Sequence, residues 1–444
     1  MNIINALNRI QLRYLFVLFF IFYSCEDNSA DKKILVEKNV ILESLSDKLN
    51  KPWGIAFLPD SSILITERSG SIYHYISSPN SSQSQMSIVN GVPQVIASGQ
   101  GGMLDIVVHP NYVNNKLIFF TASHGTTNNF STVLFRAEFI GGQLSNVKKI
   151  FQAADYNNTS NKHFGSRIVI DSDGFIFVGL GDRYNDRDYA QNLSYHNGKV
   201  IRIKDNGDIP KDNPFVSTPN AKPEIWSYGH RNIQGLAIHP ETNKLWSHEH
   251  GPKGGDEINI IKKGANYGWP LATFGIDYDG SIISKDTTIV GAEDPIYYWT
   301  PSIAPCGMNF YNSDIIPEWK GNLFLGALAG KHLNKITIEN NKVIDEQRLF
   351  QGLGRFRQVI EGPEGYLYFV SPVVGHYVSL ITAPLQRVYI KPREGQLILF
   401  PSYLEHGVMP CENKDKSRIS ISFNASLHHS LVMQAHKERD KKEK

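Results

Sequence analysis

Between residues 51 and 370 the chain repeats one unit: a strand-like apolar run, a Pro or Asp turn, then a second strand-like run. The copies are IAFLPDSSILITE (55–67), IVVHPNYVNNKLIFFTA (106–122), IVIDSDGFIFVGLGD (168–182), LAIHPETNKLWSHE (236–249), MNFYNSDIIPEWKGNLFLGAL (308–328) and VIEGPEGYLYFVS (359–371). Almost no segment in this region carries a 3.6-residue apolar period over helical length, and Gly and Pro are scattered throughout. The turns fall near residues 59, 110, 172, 240, 314 and 363. A spacing of roughly 50 to 70 residues suits four-stranded blades with long insertions between them. The pattern therefore predicts an all-β chain folded as a six-bladed β-propeller. A β-sandwich would explain the alternation of apolar and polar positions but not six recurring hairpins.

At 444 residues the chain is long enough for one large all-β domain with appendages at both ends. The net charge of +2 gives no reason to expect a nucleic-acid partner, and 41% hydrophobic with 11% aromatic residues marks a globular protein. Much of the excess base lies in HKERDKKEK (436–444), read as part of a solvated charged tail over 431–444. At the other end, Arg9 and Arg13 precede the apolar run YLFVLFFIFYS, and Cys25 is followed at once by EDNSADKK. A run of 11 is short for a bilayer span and has the flanks of a secretory h-region, so residues 1–25 are read as a signal peptide. Ser24 before Cys25 resembles a bacterial lipobox, which implies acylation of Cys25, a lipid anchor and a periplasmic or outer-membrane location. An uncleaved anchor is the alternative. With Cys25 acylated, Cys306 and Cys411 remain, too few for a disulfide framework.

Candidate chemistry is densest in SYGHRNIQGLAIHPETNKLWSHEHGPKGGDEINIIKKGANYGWP (227–270). Arg231 stands beside Asn232, an apolar strand follows, and His248, Glu249 and His250 run into the Gly251-Pro252 turn. Polar groups crowded beside Gly and Pro turns between short strands suit a pocket on a β-scaffold, although one such loop alone reads equally as a polar strand cap. Three further blocks are GQGGMLDIVVHP (99–110), HFGSRIVIDSDGFIFVGLGD (163–182) and GRFRQVIEGPEGYLYF (354–369). These four blocks, in this order, resemble the soluble PQQ-dependent sugar dehydrogenases, the glucose/sorbosone dehydrogenase family. The resemblance covers about residues 38–371, within a propeller domain read as 26–375.

The resemblance implies pyrroloquinoline quinone (PQQ) and calcium as cofactors. PQQ is a flat o-quinone with three carboxylates, so its site calls for cations and for a metal at the quinone edge. The family's carboxylate partners fall on Arg355 and Arg357, whose i, i+2 spacing places them on one side of a strand. Without the other blocks these would read as two arginines on a solvated face. Gln100 matches a further cofactor contact, although beside two glycines it reads equally as a turn residue; Arg231 is a further expected contact, and Asn232 either fixes Arg231 or contacts the cofactor. A family lysine for a PQQ carboxylate aligns with Ala329, and Lys331, two residues on, stands as its substitute. Calcium is expected on the backbone carbonyls of Gly251 and Pro252, with Asp256 and Glu257 near a possible second ion. His248 and His250 lack a third N or S ligand and do not make a zinc site. His163 matches the family's general base, Asp182 in the GLGD turn is placed to orient it, and Arg231 with calcium is placed to stabilise charge on the quinone oxygen. The implied reaction is oxidation of an aldose at its anomeric carbon to the lactone, with electrons leaving to an unknown acceptor. A non-catalytic propeller that binds sugar or protein is the alternative, favoured by Ala329.

From about Leu385, KPREGQLILFPSYLEHGV followed by RISISFN resembles the closing strands of a 2-oxoglutarate/Fe(II) oxygenase jelly roll. That resemblance implies His406 as an iron ligand and Arg418 as the 2-oxoglutarate partner. The iron centre also needs an upstream His-x-Asp or His-x-Glu pair. His239-Pro240-Glu241 has that spacing but lies in a propeller hairpin turn. Residues 376–430 are therefore read as a short jelly-roll-like fragment without iron activity, and YVSLITA (377–383) as a candidate strand for closing the propeller ring.

Overall fold

A computed structural model of the chain describes residues 34–37, 40–46, 49–77, 84–156, 159–371 and 378–382. They form six antiparallel sheets, one for each hairpin repeat. Blade 1 comprises Pro52–Phe57, Ile63–Glu67, Ile72–Ile76 and Gln85–Ile88. Blade 2 comprises Met103–Val108, Leu117–Thr126, Asn129–Ile140 and Gln143–Gln152. Blade 3 follows with Gly165–Ile170, Ile176–Leu180, Lys199–Ile203 and Ile225–Tyr228, and blade 4 with Ile233–Ile238, Leu245–Glu249, Asp256–Ile261 and Tyr297–Trp299. Blade 5 comprises Pro305–Phe310, Leu323–Ala327, His332–Glu339 and Lys342–Leu349. Blade 6 joins the two ends of the described chain. Gln358–Glu361, Leu367–Val370 and Val378–Thr382 pair in order, and Val40–Ser46 then adds beside Val378–Thr382, with Ile34–Glu37 outside it. The closing strand Val378–Thr382 falls within YVSLITA and lies just past residue 375. The leader with Cys25, the charged tail, and His406, Cys411 and Arg418 lie outside the described residues.

Each blade packs both faces against neighbours, which is why its middle strands read as unbroken apolar runs. Along Leu117–Thr126, Ile118, Phe120 and Ala122 enter the core shared with blade 1, while Leu117 and Phe119 enter the core shared with blade 3. Ile176–Leu180 and Leu323–Ala327 are likewise buried at every position. Further cores join blades 3 and 4, 4 and 5, 5 and 6, and 6 and 1, so the apolar contacts run around the ring.

The first strand of each blade lines the centre, and its two ends differ in chemistry. At one end the channel opens into a cavity of about 600 Å³ lined by apolar side chains such as Phe57, Val108, Ile170, Ile238 and Phe310. At the other end, in blades 1 to 5, the first strand opens with a register irregularity: Pro52/Ile55, Met103/Ile106, Gly165/Ile168, Ile233/Gly235 and Cys306/Met308. A bulge adds twist and re-aims side chains. Here the bulged stretches carry Asp105, Arg167, Gln234 and Cys306, and these meet inside the ring. The Arg167 guanidinium donates to Asp105 Oδ1 at 3.0 Å, to the Gln234 carbonyl at 2.8 Å and to the Arg357 carbonyl at 2.7 Å. It also lies 3.5 Å from Cys306 Sγ and 3.9 Å from the Trp53 ring. One buried arginine thus touches all the other blades or their lead-in segments.

Candidate active site

The segments that lead into the first strands all arrive at the polar end of the channel, and they carry the chemistry. His163 sits two residues before the first strand of blade 3 with φ of +51°, a left-handed conformation held by its surroundings. Its backbone N–H donates to Gln100 Oε1 at 2.8 Å. Gly181 allows the close approach on the other side: a Cβ there would come within 2.1 Å of the His163 carbonyl oxygen.

The His163 ring meets Asp182 with Nδ1 2.7 Å from Oδ1. Asp182 is fixed from four directions. Oδ1 also accepts the Tyr184 N–H at 2.8 Å, Oδ2 accepts Trp269 Nε1–H at 2.9 Å, and its own N–H donates to the Arg231 carbonyl at 2.7 Å. Burial alone would raise the Asp182 carboxyl, but its interaction and hydrogen bond with His163, the Arg231 charge and the Tyr184 N–H outweigh it and hold it below the usual carboxylate range. Burial holds His163 below its ordinary value of 6.5, Arg231 and Lys162 push the same way, and Asp182 opposes them. The ring is therefore neutral at pH 7, with its proton on Nδ1 toward Asp182. Nε2 has no partner among the described residues, and the side chain keeps 6% of its surface open. Tyr184 packs edge-on against the same ring at 5.1 Å.

Arg231 ties this pair to the Gly251-Pro252 turn. Its Nη1 donates to the His250 carbonyl at 2.9 Å and to the Gly251 carbonyl at 2.6 Å. Its backbone N–H donates to Glu249 Oε2, while Glu249 Oε1 lies 2.9 Å from His230 Nδ1. The turn itself is pinned by Asp256, whose Oδ1 accepts the Gly251 N–H at 2.8 Å. The Pro252 carbonyl accepts Ser302 Oγ–H at 3.3 Å. His248 and His250 turn away from any shared ligand position. Their Nε2 atoms donate to the Gly307 carbonyl at 3.0 Å and the Pro305 carbonyl at 2.8 Å, and burial holds both far below the histidine range, His248 at about 3. Both rings are neutral and structural.

Arg355 and Arg357 differ from expectation in their local structure. They lie in an extended segment just ahead of the strand Gln358–Glu361, outside any ladder, and this frees both side chains to follow the rim. Arg355 Nη1 donates to the Leu328 carbonyl at 3.2 Å, and Arg357 Nη1 reaches Gln234 Oε1 at 3.3 Å. Asn232 Oδ1 accepts the Gly165 N–H at 3.2 Å, so it braces the strand that follows His163. Lys331 is exposed, in the turn that includes Leu328, with φ of +53°.

The electrostatics single out this end of the channel. Elsewhere the buried arginines are paired, as Arg167 is with Asp105 at 3.0 Å and Arg183 with Asp155 at 3.3 Å. Among the described residues, Arg68, Arg231, Arg355 and Arg357 have no carboxylate at ion-pair distance and reach only carbonyls, an amide and a thiol. Arg68 and Arg355 are depressed by burial and by the nearby Arg357 charge. Gathered, buried or half-buried, unneutralised guanidiniums fit a ligand that brings several negative charges. The sequence assigns no role to Trp269, Glu249 or Arg68, because each acts through a contact distant along the chain, nor to Tyr184, which holds Asp182 through its backbone. Trp269, in the NYGWP that ends the family-like run, carries the nearest thing to a signal.

The family model described as Glucose / Sorbosone dehydrogenase matches residues 49–375, and a 2OG-Fe(II) oxygenase model matches residues 376–424. The aldose sugar dehydrogenase YliI of Escherichia coli (strain K12) is 43% identical over 339 residues, covering 75% of this chain and 90% of that protein. The crystal structure of the soluble aldose sugar dehydrogenase from Escherichia coli in the apo form superposes with a TM-score of 0.73 at 39% identity, covering 78% of this chain and 99% of that one. The PQQ-bound form of the aldose sugar dehydrogenase from Streptomyces coelicolor gives a TM-score of 0.63 at 26% identity, covering 78% of this chain and 98% of that one. With a matching family model over most of its length and a relative this similar, the chain belongs to the glucose/sorbosone dehydrogenase family.

Proposed function

We propose that this protein oxidises aldoses at the anomeric carbon, giving the lactone, with PQQ and calcium bound at the polar end of the propeller channel. The observation that carries the reading is a neutral, carboxylate-oriented His163 beside four arginines that lack anionic partners among the described residues. Three carboxylates on one small ligand would neutralise that excess. Arg355 and Arg357 would hold them, with Gln100, Asn232 and Lys331 as further polar contacts. The Gly251 and Pro252 carbonyls each accept one hydrogen bond from protein and keep a second lone pair, which suits a hard cation such as calcium. PQQ, when bound, supplies the hydride acceptor.

The protein's own part is proton transfer and charge placement. His163 Nε2 takes the proton of the anomeric hydroxyl as the C–H bond breaks. Asp182 keeps Nδ1 protonated, aims the ring and stabilises the imidazolium that forms. A base placed in this way contributes roughly 10²–10⁴-fold. Arg231, held by the His250 and Gly251 carbonyls, would place positive charge beside the Gly251-Pro252 turn, where it could stabilise an acceptor that becomes anionic. The electrons then leave to an acceptor outside this chain. Residues 1–25 would direct export, with Cys25 as the lipid anchor in a periplasmic or outer-membrane lipoprotein.

Reconstitution of the purified protein with PQQ and calcium, followed by dye reduction with a panel of aldoses, tests the proposal. His163→Ala is expected to lower turnover by roughly 10²–10⁴-fold while PQQ fluorescence quenching is retained. Chelation of calcium should abolish turnover and its re-addition restore it. Parent-like turnover in the variant, or bound PQQ with no aldose oxidised, would defeat the assignment, and the latter result would favour a sugar-binding propeller.

A further inference from the structure

We propose that Arg68 is a positioning residue that acts through Gln100 to hold His163 in its working conformation. Arg68 follows the second strand of blade 1, far in sequence from both partners. Its guanidinium forks across the Gln100 loop. Nη2 donates to the Gly99 carbonyl and, at 3.3 Å, to the Gly101 carbonyl, while Nε points at the same Gly101 oxygen from 3.4 Å. The two carbonyls gripped are those of the residues flanking Gln100.

Nearly every other polar backbone group of the loop is also engaged. The Gln100 N–H donates to the Asn161 carbonyl at 2.8 Å, the Gly101 N–H to the Ser98 carbonyl at 2.8 Å, and the Gly102 N–H to Ser123 Oγ at 2.7 Å. A Cβ on Gly102 would lie 2.0 Å from the Arg68 carbonyl oxygen, so the loop rests directly on the Arg68 backbone. What emerges from this clamp is the Gln100 side chain, whose Oε1 accepts the His163 N–H at 2.8 Å. His163 needs that support because φ of +51° is a costly conformation for a residue with a side chain. Without the Arg68 fork, two loop carbonyls lose a charged donor and the Gln100 amide loses its fixed base. His163 can then relax toward ordinary backbone angles, which would swing its ring off Asp182. Arg68 serves here as a clamp on one loop, apart from the general excess of positive charge near Arg357.

The inference rests on the proposed role of His163 for its kinetic readout only. Hydrogen exchange of the cofactor-free full chain gives a second readout that needs no turnover. Arg68→Ala should speed exchange in peptides covering 97–104 and 160–166 by about tenfold, the scale of one lost charge-assisted hydrogen bond, and leave the outer strands of blades 4 and 5 unchanged. Turnover at saturating PQQ and aldose should fall. The double variant Arg68→Ala/Gln100→Ala should be no slower than Gln100→Ala alone, because both changes break one linkage. Arg68→Lys, which keeps the charge and can reach one carbonyl, should fall between parent and Arg68→Ala, and it serves as the test variant if Arg68→Ala folds poorly. Unchanged exchange near His163, or a double variant slowed by the product of the single effects, would overturn the inference. Should the parent oxidise no aldose, the functional reading fails, and the exchange experiment still decides the role of Arg68.

Discussion

Replacing Arg167 by leucine should cost this propeller about 4 kcal/mol, as much as truncating one of the large apolar side chains packed between blades. The side chain is 2% exposed and so is its partner Asp105. Removing the guanidinium leaves a carboxylate whose Oδ2 keeps the Ile168 N–H at 2.9 Å but whose Oδ1 has lost its cation. Breaking a buried pair by deleting one partner costs roughly 3–5 kcal/mol, because the surviving charge stays buried. The Gln234 and Arg357 carbonyls also lose their donor, but these losses overlap with the first and do not simply add. A propeller of this length should melt lower by on the order of 1–2 °C per kcal/mol, hence by roughly 6 °C in all.

Differential scanning calorimetry of the cofactor-free protein measures this, and two controls isolate the cause. Asp105→Asn added to Arg167→Leu removes the stranded charge and should recover at least half of the loss. Acid should help the single variant as well. Burial already raises the Asp105 carboxyl while Arg167 pulls it down, so losing Arg167 raises it further. A raised folded-state value means the folded protein binds more protons than the unfolded chain, so stability falls as pH rises through that range and the deficit shrinks toward pH 4. A melting shift under 2 °C, or a double variant no better than the single, would refute the idea that this pair locks the ring.

Two further predictions concern the site. Because burial holds His163 below 6.5, the acid limb of kcat/KM should lie below that value, and Asp182→Asn should move it lower while cutting turnover, since Asp182 is the group that raises His163; a limb above pH 7 would show that another group is the base. Arg355→Gln should weaken PQQ binding about 10- to 100-fold by fluorescence titration, as expected for loss of a charged hydrogen bond, without lowering the melting point of the cofactor-free protein, because Arg355 is repelled by Arg357 and has no carboxylate partner among the described residues. A drop in both would make Arg355 a structural residue.

The blade hairpins were legible in the sequence because their physics is local. A strand pressed between two neighbouring blades must be apolar on both faces, and FIFVGL or LFLGAL announces that directly. His163, Asp182 and Arg231 were legible through family-like blocks, and the structure places them in one connected network, with His163 2.7 Å from Asp182 and the Asp182 N–H on the Arg231 carbonyl. Arg355 and Arg357 are candidates from the same blocks, and they stand in an extended lead-in where a strand is expected. Arg167, Trp269 and Arg68 stayed hidden for one physical reason: each contact that gives them meaning spans tens of residues or more. Arg167 to the Arg357 carbonyl crosses 190 positions, and Trp269 to Asp182 crosses 87. No periodicity or spacing within a window reports such a pair.

The bulges explain why the stabilising pin and the chemistry occupy the same end of the ring. A regular strand would alternate its side chains between the two neighbouring cores and send few into the channel. An irregularity at the start of the first strand turns Asp105, Arg167 and Gln234 inward and lets the lead-in residues before it approach one another. Crowding cations there is costly while no anion is bound. The Arg167–Asp105 pair adds no net charge to that crowd, while Arg167 donates to the Arg357 backbone and so fixes the segment that carries two of the unneutralised guanidiniums. An anionic ligand should therefore stabilise this protein more than its contact area alone would suggest, because its binding also relieves repulsion already present among Arg68, Arg355 and Arg357.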